Sequence, residues 1–288
     1  MTDVARLFDR MAGSYDELEP WYEHLYERMH AIIRAVLGPA PAGRALDAGC
    51  GTGFQTALLR DLGFVAHGVD LSAGLLTVAR TKLPTAPLAR ADLEALPYAD
   101  GCMDAITCCG STLSFVERPG RAVAELGRVL RPGGTLVLEY EHKWSLDLVW
   151  TLVSALTGDS LGYHVRPSDA IRQVARPWSE GFRVDYPVAL PDGGQGYMRL
   201  RLFTMTEIAR MLSAALLVPR RVVGIHGVTN LIPSPVLHRD RLSRPVARLY
   251  RALAAVDRGL GETPAWRIAN SVVVVATRSS RSGTMPAP

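Results

Sequence analysis

"ALDAGCGTGF", Ala45 to Phe54, sets three glycines, Gly49, Gly51 and Gly53, directly behind a short apolar run that ends in an aspartate, Asp47. A glycine-rich turn between a strand and a helix lets a ligand approach the main chain, because the helix opens with bare N–H groups and the positive end of its dipole. A dinucleotide fingerprint would space its glycines Gly-x-Gly-x-x-Gly. Here the spacing is Gly-x-Gly-x-Gly, followed by Phe54. A carboxylate at Asp47 would repel a phosphate; it either faces a ligand ammonium or clamps the turn through backbone N–H groups. The ligand expected at this turn is zwitterionic or cationic.

Working outward, short β-type runs alternate with helical patterns. The runs are Arg44 to Ala48, Val65 to Val69, Pro87 to Arg90, Met103 to Cys108, Thr135 to Tyr140, Arg221 to His226 and Ser271 to Thr277. Helices are expected from near Gln55, from Ser72 with its hydroxyl as cap, over "RPGRAVAELGRVLRPGG" closed by Pro132-Gly133-Gly134, and over "FTMTEIARMLSAAL". Strand alternating with helix is the grammar of a doubly wound parallel sheet of seven strands. Ahead of it, residues 2 to 16 place Val4, Leu7, Phe8 and Met11 on one helical face, and Pro20 opens a second helix that Gly38 ends.

These patterns divide the chain into an N-terminal helical cap (1–38), a cofactor-binding half of the core (39–142), a lid or substrate insertion (143–202), and the rest of the core (203–278) with an arginine-rich helical insertion at about 233–265. Residues 279–288 read as a disordered tail. The lid is aromatic, with Trp144, Trp150, Trp178, Phe182, Tyr186 and Tyr197, which serve either as cover for an apolar acceptor or as a satellite core. Arg239, Arg241, Arg244, Arg248 and Arg251 read as the solvated face of a helix burying Val246, Leu249 and Leu253, or as a surface for phosphate or acidic membrane.

The 288 residues are 48% hydrophobic with a formal net charge of +4, ordinary for one enlarged globular domain. Interspersed charges argue weakly for any nucleic-acid or membrane partner. Cys50, Cys102, Cys108 and Cys109 lack zinc-site or disulfide-framework spacing and read as reduced, buried thiols, with no metal expected. Neither a signal peptide nor a membrane-spanning run stands out, so a cytoplasmic location is expected.

The motifs together resemble the class I S-adenosylmethionine-dependent methyltransferases, in particular the small-molecule branch that includes the ubiquinone and menaquinone methyltransferases. "LDAGCGTG" is similar to that family's cofactor loop, "GVDLS" to the end of its second strand, "RADLEALPYADGCMDAITCC" to its adenine segment and fourth strand, and "LGRVLRPGGTLVLEY" to its Pro-Gly-Gly turn and fifth strand. These segments span residues 44 to 140, and "LFDRMAGSYDE" is similar to the helix and Tyr-Asp pair ahead of the domain. The resemblance implies a Rossmann-like α/β fold whose last strand runs antiparallel beside the fifth. It also implies S-adenosyl-L-methionine as methyl donor, with S-adenosyl-L-homocysteine as product.

Carried over position by position, the resemblance implies that Asp47, Gly49, Cys50, Gly51 and Gly53 form the cofactor turn, Asp70 and Leu71 meet the ribose, Asp92 and Leu93 meet the adenine, Cys109 holds the amino group through main chain, and Tyr15 closes over the methionine end. Methyl transfer chiefly requires near-attack geometry and exclusion of water, so a base is optional. His142 is the first candidate for one, and a surface or capping histidine is the alternative. Glu141 reads as base, cofactor orienter or surface carboxylate; Tyr15 reads as catalytic or core-packing. Tyr22, His24, Trp144 and Tyr197 are candidates to contact the acceptor.

"CCGS" after the fourth strand, where amino-methylating nucleic-acid enzymes carry an Asn/Asp-Pro-Pro-Tyr motif, argues against DNA, and RNA is not expected. A small, partly apolar acceptor such as a quinone or polyketide is expected, methylated on O, N or C by a monomer or homodimer. A catalytically silent cofactor-binding protein and a nucleotide-dependent oxidoreductase remain the alternatives.

Overall fold

A computed structural model describes residues 3–16, 20–39, 42–189, 195–239 and 241–280. Helices α1 (Asp3–Met11) and α2 (Pro20–Leu37) lead into β1 (Arg44–Ala48), α3 (Phe54–Asp61), β2 (Val65–Asp70), α4 (Ala73–Lys82), β3 (Leu88–Arg90) and β4 (Met103–Cys108). Then come α5 (Pro119–Val129), β5 (Leu130–Glu141), α6 (Asp147–Leu156), α7 (Pro167–Ala175) and the strands β6 (Phe182–Ala189) and β7 (Gln195–Leu202). The core resumes with α8 (Met205–Ala214) and β8 (Leu217–Ile225), followed by α9 (Ser234–Leu237), α10 (Arg244–Leu260) and β9 (Ser271–Arg278).

Among the described residues, the main sheet has seven strands in the order β3-β2-β1-β4-β5-β9-β8. β1 is parallel to β2 and β4, β2 to β3, and β4 to β5, whereas β9 lies antiparallel between β5 and β8. The expected seven strands and antiparallel last strand are therefore present. Strand order reverses beside β1, which places the binding crevice at the carboxyl ends of β1 and β4.

Buried on both faces, the strands read as apolar runs. On one face Ala122, Val123 and Leu126 of α5 and Ile208 and Leu212 of α8 pack over Leu46, Ile106, Leu138 and Val274. On the other, Leu25, Met29 and Ile33 of α2 and Leu58 and Leu59 of α3 pack over Ala45, Ala105, Val137 and Val273. The apolar stripe of α2 is thus used as its spacing predicts. Ser72 caps α4, accepting the Leu75 N–H at 3.1 Å.

Three local expectations change. α5 ends at Val129, because Leu130 turns extended and pairs with Met103, so Pro132-Gly133-Gly134 becomes an irregularity inside β5 instead of a helix stop. The insertion contains a β-hairpin, β6 with β7, that the glycine and proline content of the stretch hides. Its signal is the alternation of "FRVDY" and "MRLRL". α10 buries Tyr250, Ala254 and Asp257, while Leu249 stays half exposed; the five arginines do lie on solvent. Residues 281–288, most of the expected tail, lie outside the described residues.

The insertion enters and leaves through a hydrogen-bonded neck. Phe203 N–H donates to the Glu141 carbonyl at 2.8 Å and Lys143 N–H to the Phe203 carbonyl at 2.9 Å. Lys143 is buried, with its ammonium donating to the carbonyls of Arg176, Pro177 and Glu180 just after α7. Trp144 stacks on Trp178 with ring centroids 4.1 Å apart.

Gly127 marks the closest approach between α5 and the end of α8, since a Cβ there would sit 2.7 Å from the Ala215 carbonyl oxygen. Gly127→Ala therefore destabilises the fold by about 1–3 kcal/mol despite the better helix propensity of alanine. Thermal denaturation reads this as a lowered Tm; an unchanged or raised Tm contradicts the packing.

Candidate active site

The glycine turn is built for close approach. Gly49, Gly51 and Gly53 all have φ in the left-handed region, +83°, +50° and +96°. Gly49 N–H and Cys50 N–H both donate to the Val69 carbonyl, at 2.8 and 2.9 Å. The Asp70 carboxylate accepts Gly51 N–H at 2.9 Å and Ser72 N–H at 2.8 Å, so the turns after β1 and β2 share one anchor. Burial raises the pKa of the Asp70 carboxyl against these stabilising bonds.

Asp47 is buried beneath the turn. Its buried carboxylate accepts the hydroxyls of Thr56 at 2.7 Å and Thr107 at 3.2 Å, tying the end of β1 to α3 and β4, and burial pushes it up to about 6. It clamps the turn, chiefly through threonine hydroxyls. The Cys50, Cys108 and Cys109 thiols are buried and held well above the ordinary thiol range by burial, so none is a nucleophile near neutral pH.

The N-terminal helices cover this turn. Asp9 of α1 accepts the Ser72 hydroxyl at 2.6 Å and Gly74 N–H at 2.8 Å, fastening α1 to the start of α4. Asp16 accepts the Thr52 hydroxyl at 2.6 Å and pairs with Lys82. Between them Tyr15 hydrogen-bonds to Tyr26 of α2, and its ring edge is the nearest group to Gly51, 3.9 Å from where a Cβ would be. Phe8 meets Tyr15 and Phe115 edge to face, with centroids at 5.9 and 5.3 Å. Burial, with the charge of Asp70, pushes the Tyr15 phenol up to about 12, so at neutral pH it keeps its proton, packing and hydrogen-bonding instead of acting as a base. Tyr15 thus lies at the cofactor turn.

Beyond the turn, at the carboxyl ends of β4 and β5, two carboxylates stand side by side. Glu139 and Glu141, two residues apart, share the α2 face of β5. Glu139 accepts Ser111 N–H and the Ser271 hydroxyl, both at 2.5 Å. Glu141 accepts the Ser111 hydroxyl at 2.5 Å and the Asn270 amide at 2.8 Å. Ser111 bridges the pair from a left-handed conformation, φ +59°, unusual for a residue with a side chain.

The Glu141 carboxyl is raised to about 8, first by burial and then by the charge of Glu139. Burial raises Glu139 as well, against the bonds from Ser271 and Ser111, so the pair retains a proton, which the richer donor set on Glu139 leaves on Glu141. Glu141 is therefore no surface carboxylate.

The remaining candidates separate. His142 projects to the opposite face of β5, between Tyr140 and Trp266, with Nδ1 3.3 Å from the Ala269 carbonyl. Burial lowers it to about 4, so it is neutral and a weak base, and it lies on the opposite face of β5 from the carboxylate pair. Trp144 and Tyr197 do not converge on the pair: the first stacks on Trp178 and the second is 61% exposed. Tyr22 lies near His238, whereas His24 is buried against His226.

Leu93 is buried, and Asp92 accepts Glu94 N–H at 2.9 Å at the end of β3. Leu71 accepts Arg90 through its carbonyl. The Cys109 carbonyl accepts the Thr112 hydroxyl at 2.7 Å, and Thr112 packs where a Cβ on Gly49 would be. Sequence reasoning missed Ser111, Thr112, Glu139 and Asn270, whereas it places Tyr26 on the α2 face that could line the pocket. Only Glu139 carried a signal, its charge within an otherwise apolar strand. Among the described residues no cluster of histidine, cysteine, aspartate and glutamate could hold a metal ion.

A methyltransferase-domain family model matches residues 46–138, the glycine turn through β5. A demethylmenaquinone methyltransferase from Renibacterium salmoninarum is 34% identical over 49% of this chain and 60% of its own length. The chain thus spans less than two thirds of that relative. A malonyl-[acyl-carrier protein] O-methyltransferase from Methylococcus capsulatus is 31% identical over 85% of this chain and 84% of the relative. The chain belongs to the S-adenosylmethionine-dependent methyltransferases. An S-adenosylmethionine-dependent methyltransferase from Mesorhizobium loti shares the fold, with a TM-score of 0.53 at 17% identity over 86% of this chain and 96% of that one.

As in that family, S-adenosylmethionine is the methyl donor, and the residues fit it: a carboxylate ends β2, apolar Leu93 follows β3, and left-handed glycines expose main chain beneath Tyr15. No helix among the described residues is long and apolar enough to cross a membrane.

Asp70→Ala is expected to weaken S-adenosylhomocysteine binding by about 10-fold or more, the scale of hydrogen bonds to a charged group. Calorimetry showing unchanged affinity would refute the ribose assignment. A second expectation concerns pH. An ordinary glutamate loses its proton near 4.5, and folded Glu141 near 8, so between these values the unfolded chain binds fewer protons and stability falls as pH rises. Glu141→Gln removes that slope. Its Tm should climb relative to the parent between pH 5 and 8; parallel curves contradict a protonated Glu141.

Proposed function

We propose that the chain moves a methyl group from S-adenosylmethionine to a small, partly apolar and electrically neutral acceptor, one that loses a proton on methylation, such as a quinol. The observation that carries this reading is the Glu139–Glu141 pair at the carboxyl ends of β4 and β5. The relatives' names offer two kinds of acceptor, a demethylated menaquinone and a malonyl group on an acyl carrier protein. The buried Glu139 and half-buried Glu141 disfavour the malonyl carboxylate by like-charge repulsion and tolerate a neutral hydroxylated ring.

Bound S-adenosylmethionine supplies an electrophilic methyl on sulfur. Asp70 and the glycine turn orient the donor, while Tyr15, Tyr26 and Phe8 exclude water from above. The acceptor approaches from the β5 side, and the proton it sheds passes to the ionised member of the pair. His142, neutral and on the other face, has no part in that step.

The test incubates the protein with methyl-labelled S-adenosylmethionine and, separately, a demethylmenaquinol and a malonyl-loaded acyl carrier protein. Label in the quinol supports the reading. Transfer to the malonyl carrier alone overturns the acceptor class, and no transfer to either or to a metabolite extract marks a silent binder.

A further inference from the structure

The carboxyl edge of the sheet continues past the carboxylate pair into buried polar groups that the fold itself does not use. Asn270, which donates its amide to Glu141, also donates its N–H to the His226 carbonyl at 3.1 Å. His226 is fully buried and left-handed, φ +58°, at the end of β8. Its ring lies 5.1 Å from that of His24 on α2 and its Nδ1 is 3.2 Å from the Thr229 hydroxyl. The turn that follows is firmly held: Asp257 of α10 accepts the N–H groups of Val228 and Thr229 and the Thr229 hydroxyl. From the insertion, Trp150 donates its indole N–H to the Asn230 carbonyl at 2.9 Å.

Within this rigid setting two side chains are left over. Asn230 is fully buried, yet neither its amide nitrogen nor its amide oxygen has a partner among the described residues. His24 is 6% exposed, and its Nε2 is likewise without a partner. Buried polar groups are nearly always paired, and an orphaned amide in an ordered turn calls for a partner that arrives from outside. Burial disfavours the charged form of the His24 imidazole, and the nearby carboxylates of Asp257 and Glu27 disfavour an anion. An asparagine amide presents a donor and an acceptor together, which suits a hydroxyl, itself both.

We propose that Asn230 and His24 form the recognition point for a neutral hydroxyl of the acceptor, on the far side of Asn270 from the proton-accepting pair. The inference rests on the methyltransferase reading and adds to it a specificity site. It also assigns the Trp150 contact a purpose: the insertion closes on the turn that carries Asn230.

The variant that separates ligand recognition from structure is Asn230→Leu, similar in volume and without the amide. The probe is 1,4-dihydroxynaphthalene, titrated into protein saturated with S-adenosylhomocysteine. Asn230→Leu is expected to raise the Tm of the ligand-free protein, because the orphaned amide is gone, and to weaken probe binding by about tenfold, with S-adenosylhomocysteine affinity unchanged. His24→Phe is expected to weaken the probe in the same direction. A lowered Tm for Asn230→Leu, or probe affinity unaffected by both substitutions, overturns the proposal. Failure of the parent protein to bind the probe overturns the ligand class. Failure of the parent to bind S-adenosylhomocysteine would instead strike the underlying reading, and the two are distinguishable in one titration series.

Discussion

The antiparallel course of β9 is the constraint on which the Glu139–Glu141 edge of the sheet depends. A parallel strand beside β5 would bring its own carboxyl end to this edge. Running the other way, β9 brings its start, so Asn270 and Ser271 stand next to Glu141 and Glu139. Their amide and hydroxyl supply the donors that let two carboxyl groups occupy a nearly dry position. With Ser111 completing the bridge, the like-charge repulsion of the pair is resolved by a retained proton and not by unfolding of the edge.

The opposite end of the crevice uses a different economy. Around the glycine turn, carboxylates accept hydroxyl and N–H donors from the next element along: Asp47 from α3 and β4, Asp70 from the turns after β1 and β2, Asp9 from the start of α4. Each bond crosses between elements, so the turn is stiff before any ligand arrives. Preorganisation of this kind lowers the cost of ordering main chain around a cofactor. Aromatic edges from Phe8, Tyr15 and Tyr26 supply cover without adding charge.

Much of this was legible in the sequence because local signals and global fold agree. The buried parallel strands are apolar runs between turn residues, α2 carries an unbroken stripe, and the glycine spacing with Asp70 and Asp92 points to one cofactor. Legibility fails where function depends on facing. His142 and Glu141 are neighbours in the chain, but the two-residue period of a strand sends them to opposite sides, and the sequence alone does not say which side is wet. Ser111 and Asn270 are polar residues of ordinary appearance whose importance comes from long-range pairing. The hairpin of β6 and β7 shows the local form of this problem, since glycine and proline drown its alternation.

The neck at Glu141, Lys143 and Phe203 has a consequence for how such a protein can change. Because the two ends of the 143–202 segment are bonded to each other, β5 and α8 meet the same anchor points whatever length of chain is threaded between them. Loop-closure entropy grows only slowly with length, so the core is nearly indifferent to what that segment contains. The segment is, in effect, an interchangeable cartridge. One contiguous stretch can be rewritten while the sheet, its glycine turn and the carboxylate pair keep their places.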